Sequence, residues 1–279
     1  MTRQQALAHA RGILAASKIE DASLESELIL RHALKISRVQ LYTDLDRELS
    51  REQEETFRHL IERRLNGEPT AYVTGHREFY GLDFYVDPSV LIPRPETELL
   101  VEKALNLAQN RTISTIADIG TGCGAIAISL ALNLPQAKIY ATDISASALN
   151  IALINCQKHG VVNSVCLLQG DLLDPLPEPV DLIVANLPYV KDSESSFANF
   201  EPVLALSGGS DGLDKIRQLC RRVSHKLRPS GYLLLEIGLG QKEAVTALLS
   251  SLFPYGEIGV TPDLGGIDRV ISLTLVNNQ

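Results

Sequence analysis

Four consecutive residues combine a side-chain amide, a restrained backbone and an aromatic ring. They are Asn186, Leu187, Pro188 and Tyr189, and we call them the NLPY segment. The residues before it, 181–185, are apolar after the first and predict a buried strand. Open α/β sheets bind ligands at the carboxyl ends of their strands, so the segment suits a site for a planar group bearing an NH2. Asn-x-Pro is also ordinary turn chemistry, and the segment alone leaves both interpretations open.

A glycine-rich run joins a predicted strand to a predicted helix, the context that a nucleotide site needs. We call residues 120–124 the glycine loop, and they are Gly120, Thr121, Gly122, Cys123 and Gly124. Their G-x-G-x-G spacing differs from the G-x-G-x-x-G of dinucleotide sites, and Asp118, two residues before the first glycine, favours a different cofactor. We predict that Asp118 and the glycine loop bind a nucleoside cofactor, with a tight strand-to-helix turn as the alternative.

Two further acidic positions follow the next predicted strands. Asp143 ends the second strand, 23 residues after Gly120, where a carboxylate accepts both hydroxyls of a ribose. That geometry serves NAD as well, so Asp143 alone does not identify the cofactor. Asp171 and Leu172 end the third strand and are candidates to bracket an adenine, although Asp171 has an equally simple interpretation as a loop carboxylate.

From about residue 113 the pattern alternates strand and helix, which is typical of a parallel sheet. The predicted strands are 114–119, 138–143, 164–169, 181–185, 231–237, 256–260 and 269–275, and the predicted helices are 124–133, 146–159, 212–228 and 240–251. Only a turn separates the last two strands, so we expect them to pair antiparallel. Residues 229–231, Pro-Ser-Gly, are expected to stop the third of these helices.

The first third of the chain has a different pattern. Residues 1 to about 66 predict short helices, with Ser50 and Gln53 as a capping box. Residues 77–86 predict a hairpin around Gly81, and three prolines make residues 87–98 an extended connector. We therefore predict an N-terminal helical domain at 1–75, a hairpin and connector at 76–93, and an α/β domain at 94–279.

Composition narrows the function classes. The 279 residues carry 45% hydrophobic and 22% charged residues, a globular composition, and a net charge of -8 that argues against broad nucleic-acid binding. The four cysteines form no C-x-x-C pair, so we expect no metal site. The start of the chain has no apolar signal region, and no apolar run approaches a membrane span. We expect a cytoplasmic monomer that binds neither membranes nor, stably, nucleic acid.

Together, the glycine loop, Asp118 and Asp143 resemble the class I S-adenosylmethionine-dependent methyltransferase superfamily, whose seven-stranded sheet has an antiparallel last strand. The NLPY segment resembles the amino-methylation motif of that superfamily, (Asn/Asp)-Pro-Pro-Tyr. Residues 67–75, 78–84 and 90–98, together with Glu201, Pro202 and residues 205–213, resemble the peptide chain release factor N5-glutamine methyltransferases. The run Leu-Ile-Pro-Arg-Pro-Glu-Thr-Glu at 91–98 is the most specific part.

This resemblance implies a function and a set of roles. The implied reaction moves a methyl group from S-adenosylmethionine to the glutamine amide of the release factor Gly-Gly-Gln motif. Asn186 would accept one N–H of that amide through its side chain, Leu187 would accept the other through its carbonyl, and Tyr189 would pack against the amide plane. Arg94 and Glu96 resemble family positions near the pocket, with a capped helix start as the alternative.

Leu187 departs from the family, which usually has Pro there. We expect the backbone carbonyl to serve equally well, with some loss of rigidity in the segment. Three other functions stay open at this point: a glutamine methyltransferase of a ribosomal protein, an N6-adenine nucleic-acid methyltransferase, and a cofactor-binding scaffold without activity.

Overall fold

A computed structural model describes residues 1–195 and 200–276. The predicted α/β domain at 94–279 therefore includes seven residues, 196–199 and 277–279, that lie outside the described residues. The chain divides into two compact units, Met1–His76 and Arg77–Gln279. The three-part division at 75 and 93 stays a prediction. None of the described helices is long and apolar enough to cross a membrane.

The first unit is helical, as its sequence predicts. Its helices are α1 (Arg3–Ala16), α2 (Ala22–Leu34), α3 (Arg38–Thr43), α4 (Arg51–Leu65) and α5 (Thr70–Thr74). Ser50 caps α4 by accepting from the Gln53 N–H, which confirms the predicted capping box. The apolar faces meet in one core around Leu14, Ile29 and Leu30, all fully buried. Burial of these faces, more than helix propensity, holds such short helices together.

A two-stranded hairpin and the connector come next. The hairpin consists of β1 (His76–Phe79) and β2 (Leu82–Tyr85), and the turn between them contains Gly81 at φ +69°. A short 3-10 helix, Pro95–Thr97, ends the connector and leads into α6 (Glu98–Asn110). The Glu98 carboxylate accepts from the Tyr80 N–H at 2.8 Å, so the hairpin turn is fastened to the start of α6.

The second unit is built on a seven-stranded sheet. Its strands are β3 (Thr115–Ile119), β4 (Lys138–Asp143), β5 (Val165–Gln169), β6 (Val180–Ala185), β7 (Leu227–Glu236), β8 (Glu257–Pro262) and β9 (Asp268–Thr274). The order across the sheet is β5-β4-β3-β6-β7-β9-β8. The pairs from β5 to β7 are parallel, and β9 is antiparallel to both of its neighbours. The predicted fold class, a seven-stranded α/β sheet whose last strand is antiparallel, is confirmed.

The longer helices of this unit pack on the sheet through their apolar faces. They are α6, α7 (Ala125–Asn133), α8 (Ala146–Lys158), α10 (Asp214–Lys226) and α11 (Lys242–Leu252). A further helix, α9 (Asp192–Ser195), has only four polar residues, and Asp192, Ser193 and Glu194 are exposed. β3 is buried along its whole length, as expected of a central parallel strand. The order of the strands places the ends of β3, β4 and β6 side by side at one edge, where the predicted site residues follow them.

One predicted boundary is wrong. Residues 229–231 were expected to stop a helix, but α10 ends at Lys226 and β7 begins at Leu227. The pairing of β6 with β7 shifts register between Val180 and Leu182, and Ser230 in the skipped stretch has φ +60°. Proline lacks the N–H that a ladder needs and is tolerated at bulges. The Pro-Ser-Gly run therefore marks an irregularity inside a strand.

Candidate active site

A cavity of about 320 Å³ opens at the carboxyl edge of the sheet. Eight of the predicted site residues line it: Gly120, Gly122, Asp143, Asp171, Leu172, Asn186, Leu187 and Pro188. Residues 88–91 of the connector also line the cavity. Pro202, Leu204 and Ala205, which follow the NLPY segment in the chain, line it as well. The structure thus brings the glycine loop and the NLPY segment to one cavity.

The glycine loop has the backbone that its sequence predicts. Gly120, Gly122 and Gly124 have φ values of +73°, +56° and +85°, which favour glycine. A side chain at Gly120 would place its Cβ 3.3 Å from Leu187 Cδ2, so the loop and the NLPY segment pack closely. A Cβ at Gly124 would lie 3.0 Å from Ile128 Cδ1, so this glycine allows the loop to join α7.

Asp118 holds the glycine loop from below and does not line the cavity. It is fully buried, and its Oδ2 accepts from Thr121 Oγ1 at 2.6 Å and from the Ala127 N–H at 3.1 Å. Burial raises the pKa of Asp118 to about 7. Its Oδ1 is buried and has no hydrogen-bond partner among the described residues. A buried acceptor without a partner is uncommon in a folded protein, and this oxygen is available to accept a hydrogen bond from a ligand.

Thr121 and Cys123 also lie beneath the surface of the loop. The Thr121 N–H donates to the Thr142 carbonyl at 2.9 Å, and the Cys123 carbonyl accepts from Asn155 Nδ2 at 2.9 Å. Burial raises the pKa of the Cys123 thiol to about 12, so it stays protonated at neutral pH. These two residues shape the loop, and neither lines the cavity.

Asp143 faces the cavity with both carboxylate oxygens fixed. Its Oδ2 accepts from the Gly122 N–H and its Oδ1 from the Ser145 N–H, each at 2.9 Å. Burial raises the pKa of Asp143, and the two N–H donors oppose that rise. Each carboxylate oxygen can accept more than one hydrogen bond, so the group still has room for two hydroxyl donors.

Asp171 and Leu172 line the opposite part of the cavity. The Asp171 carboxylate is paired with Arg222 at 3.1 Å and with Lys215 at 3.9 Å. Leu172 has φ +50°, an uncommon conformation for a branched side chain, and its carbonyl accepts from Thr142 Oγ1 at 3.0 Å. The ion pairs hold Asp171 in place, so its carboxylate is less free for a ligand than that of Asp143.

The Asn186 side chain is oriented by a residue of another element. Its Nδ2 donates to Thr97 Oγ1 at 3.0 Å, across 89 positions of the chain. The amide oxygen is then left to accept from a ligand in the cavity. Leu187 is only 4% exposed, because its side chain packs in the core beneath the cavity as well as against the glycine loop.

Tyr189 binds a buried glutamate through its hydroxyl, and the packing of its ring on an acceptor amide stays a prediction. Its hydroxyl donates to Glu236 Oε1 at 3.1 Å, its ring lies against Gly238, and it is absent from the described cavity lining. Burial and the Glu236 carboxylate raise the pKa of Tyr189. A buried carboxylate needs hydrogen-bond donors, and this need draws the hydroxyl inward.

Arg94 and Glu96 lie outside the described cavity lining. Arg94 pairs with Glu201 at 2.5 Å, and the Glu201 carboxylate also accepts from the Ile92 N–H at 3.1 Å. Glu201 thereby ties the connector to the Pro202 side of the cavity wall. Glu96 is exposed. Arg94 thus supports the wall of the cavity, and the place of Arg94 and Glu96 near the pocket stays a prediction.

Sequence reasoning missed several residues that hold the NLPY segment. Gln241 Nε2 donates to the Tyr189 carbonyl at 3.0 Å, and Gln241 Oε1 accepts from the Gly238 N–H at 2.9 Å. A Cβ at Gly212 would lie 2.4 Å from the Tyr189 carbonyl oxygen, and one at Gly208 would lie 2.7 Å from the Pro188 carbonyl oxygen. The three glycines between 208 and 212 were the only available signal of this close approach.

Two family models match the chain. The model described as the PrmC N-terminal domain matches residues 5–75, and the one described as the methyltransferase small domain matches residues 95–207. A solved methyltransferase from Pyrococcus furiosus has a TM-score of 0.55 at 17% identity, covering 77% of this chain and 98% of its own. That likeness shows the fold alone.

Two curated relatives are similar over nearly the whole chain. The release factor glutamine methyltransferase of Moorella thermoacetica is 45% identical, covering 96% of this chain and 97% of its own length. That of Geobacter sulfurreducens is 40% identical, covering 97% and 95%. The resemblance inferred from the sequence is confirmed: this chain belongs to the release factor glutamine methyltransferase family.

Proposed function

We propose that this chain transfers a methyl group from S-adenosylmethionine to the side-chain amide nitrogen N5 of the glutamine in the Gly-Gly-Gln motif of peptide chain release factors. The relatives described above are named for this substrate class. The observation that carries the proposal is that the glycine loop and the NLPY segment line one cavity. A methyl donor and an acceptor amide bound there would lie side by side.

The residues present fit S-adenosylmethionine. The buried Asp118 Oδ1 lacks a partner among the described residues, and Asp143 offers two fixed carboxylate oxygens to a ribose. A Cβ at Gly122 would meet nothing within 4 Å, so the loop leaves open space beside the cavity. When bound, S-adenosylmethionine supplies an electrophilic methyl group on a sulfonium. We propose that Asp118, the glycine loop, Asp143, Asp171, Leu172 and Asn186 hold it.

The NLPY segment would bind and orient the acceptor. A glutamine amide nitrogen is a poor nucleophile because its lone pair is delocalised into the carbonyl. Asn186 Oδ1 and the Leu187 carbonyl each accept one N–H of that amide, which directs the nitrogen lone pair along the line of transfer. The nitrogen loses its proton readily once it is alkylated, so the site needs no dedicated base. Pro188 limits the motion of the segment.

A competition assay tests this proposal. The purified protein is incubated with labelled S-adenosylmethionine, a release factor, a ribosomal protein and DNA in one vessel. We expect label in the release factor, and mass spectrometry should place one methyl group on the glutamine of its Gly-Gly-Gln peptide. Label confined to the ribosomal protein or to DNA would instead support one of the two other methyltransferase functions.

The remaining parts of the proposal concern organisation. We propose that residues 1–75 form a domain that takes part in release-factor binding, that 76–93 connect it, and that 94–279 form the methyltransferase domain. The family model at residues 5–75 supports the first of these boundaries. Because release factors act in translation, the proposal includes a cytoplasmic location, and a monomer suffices for a site lined by one chain.

A further inference from the structure

We propose that Thr97 and Glu236 are positioning residues that hold the two ends of the NLPY segment, Thr97 through Asn186 and Glu236 through Tyr189. This inference rests on the proposed function, since it assigns to Asn186 the orientation that function requires. Neither residue is among those that line the cavity. Each acts through one hydrogen bond to the segment.

Thr97 stands where a helix cap is normally found, but its side chain is used elsewhere. It precedes α6, a position at which a threonine oxygen commonly accepts from an N–H of the first turn. The Thr97 side chain makes no such capping bond. Its Oγ1 instead accepts from Asn186 Nδ2 at 3.0 Å, and Thr97 is 5% exposed. The Thr97 hydroxyl therefore binds Asn186 and does not cap α6.

Glu236 holds the other end of the segment. It ends β7, is 2% exposed, and its Oε1 accepts from the Tyr189 hydroxyl at 3.1 Å. Glu236 Oε2 is buried and has no hydrogen-bond partner among the described residues. The bond to Tyr189 fixes the tyrosine end of the NLPY segment to the end of β7.

The direction of the bond to Thr97 decides which end of the Asn186 amide faces the cavity. Asn186 Nδ2 donates to Thr97 Oγ1, so Asn186 Oδ1 is the end that is left to accept from a ligand. The flipped amide would present an NH2 to the donor N–H of a substrate amide, and two donors cannot bond each other. Loss of the Thr97 hydroxyl removes the bond that holds Asn186 in this orientation.

The matched variants are Thr97→Val, which keeps the shape without the hydroxyl, and Thr97→Ser, which keeps the hydroxyl. We expect Thr97→Val to lower kcat about tenfold or more, the effect of losing about one hydrogen bond of orientation, and Thr97→Ser to restore most of it. The Kd for S-adenosylmethionine should stay unchanged in both. Thr115→Val, which removes a buried threonine hydroxyl at the start of β3 that bonds Asp181 and lies outside the cavity lining, is the control and should leave kcat unchanged.

A second readout does not need activity. The side-chain NH2 signals of Asn186, assigned by their loss in Asn186→Ala, should exchange with solvent faster in Thr97→Val than in the native chain or in Thr97→Ser. Glu236→Gln should also lower kcat, because a neutral amide replaces the carboxylate that accepts from the Tyr189 hydroxyl. The kcat of each variant is divided by the kcat of the native protein on whichever acceptor the native protein labels. A wrong release-factor assignment would therefore appear in the assay of the native protein and would not affect these ratios.

The inference is overturned if Thr97→Val keeps kcat within about twofold of the native value with unchanged exchange of the Asn186 NH2. It is also overturned if Thr97→Ser loses as much activity as Thr97→Val, because the hydroxyl would then not be the group that matters. Should Thr97→Val fail to fold, Thr97→Ser and Glu236→Gln decide the question: equal activity of Glu236→Gln and the native chain contradicts the role of the carboxylate.

Discussion

The glycine loop and the NLPY segment lie at the same edge of one sheet, yet the contacts that hold them span different lengths of the chain. The glycine loop is held by Asp118 within nine positions and by Thr142, Asp143 and Asn155 within 32. The NLPY segment is held by Thr97 across 89 positions and by Gln241 across 52. The loop depends on the strand and helix that follow α7, whereas the segment depends on elements that are distant in sequence.

This difference matches the work proposed for each region. The proposed cofactor is held through hydrogen bonds to its polar groups, which a backbone loop and fixed carboxylates supply. An acceptor amide must be oriented to a fraction of an ångström for transfer, which requires supports that are themselves packed. We therefore expect changes in the NLPY segment to act on the chemical step and changes around the glycine loop to act on cofactor affinity.

The largest effect is expected from Asn186→Ala. Loss of a preorganised hydrogen-bond partner in the transition state costs about 3 kcal/mol, or roughly 10²–10³ in kcat. The measurement is the initial rate of methylation of purified release factor, with the glutamine peptide quantified by mass spectrometry. Native activity in this variant would remove Asn186 from its proposed role.

Asp143→Ala should change the affinity for the cofactor, because Asp143 lies beside the glycine loop. Its carboxylate oxygens are held by the Gly122 and Ser145 N–H groups and face the proposed ribose position. Loss of hydrogen bonds to a charged group should weaken the affinity for S-adenosylmethionine about 10-fold to 100-fold. Calorimetry on the two proteins gives the Kd directly, and an unchanged Kd would exclude Asp143 from the site.

Gly212→Ala tests the close approach that supports the NLPY segment. The new Cβ would lie 2.4 Å from the Tyr189 carbonyl oxygen, a distance that forces the segment to move. Gly240→Ala is the matched control, because Gly240 has nearly the same φ, +80° against +79°, with nothing within 4 Å. In both variants an alanine must adopt a positive φ, which destabilises the two proteins by similar amounts. Because of the additional clash, Gly212→Ala should lose about 1–3 kcal/mol more stability than Gly240→Ala. Equal melting temperatures would show that this contact is unimportant.

Leu187→Pro is expected to have the smallest effect on the rate. If only the carbonyl of this residue binds the acceptor, kcat should stay within about threefold of the native value or rise. The Leu187 side chain is buried, however, so replacement by a smaller ring should lower the melting temperature, by an amount corresponding to about 1 kcal/mol. A loss of kcat with no loss of stability would assign the side chain a role in transfer.

The local parts of the site were predictable from sequence. Strand ends, glycine spacing and the positions of Asp118 and Asp143 have short-range signatures. The confirmed seven-stranded sheet with an antiparallel last strand was expected from the alternation of strands and helices and from the short turn between the last two strands. The supports of the NLPY segment were not predictable, because Thr97, Glu236 and Gln241 meet it only after the strands assemble. Within residues 91–98, the sequence indicated the charged Arg94 and Glu96 as pocket residues, but the side chain that binds Asn186 is that of the neutral Thr97.

Tyr189 illustrates the same limit. Its place in the motif predicts a ring that packs on the acceptor amide, and the structure adds a contact that the motif does not predict, the bond from its hydroxyl to a buried glutamate 47 positions later. No sequence pattern near residue 189 predicts the contact with Glu236. The register of β6 and β7, which pairs Ala185 with Leu235, is what brings Glu236 beside the NLPY segment.

The most direct test of the division between the two regions is kcat at saturating S-adenosylmethionine, measured side by side for Asp143→Ala and Asn186→Ala. Saturation should restore Asp143→Ala to within about threefold of the native kcat, since only affinity is lost. Asn186→Ala should remain about 10²–10³ below it at the same concentration. If instead Asn186→Ala recovers at saturation while Asp143→Ala does not, the roles assigned to the two regions are wrong.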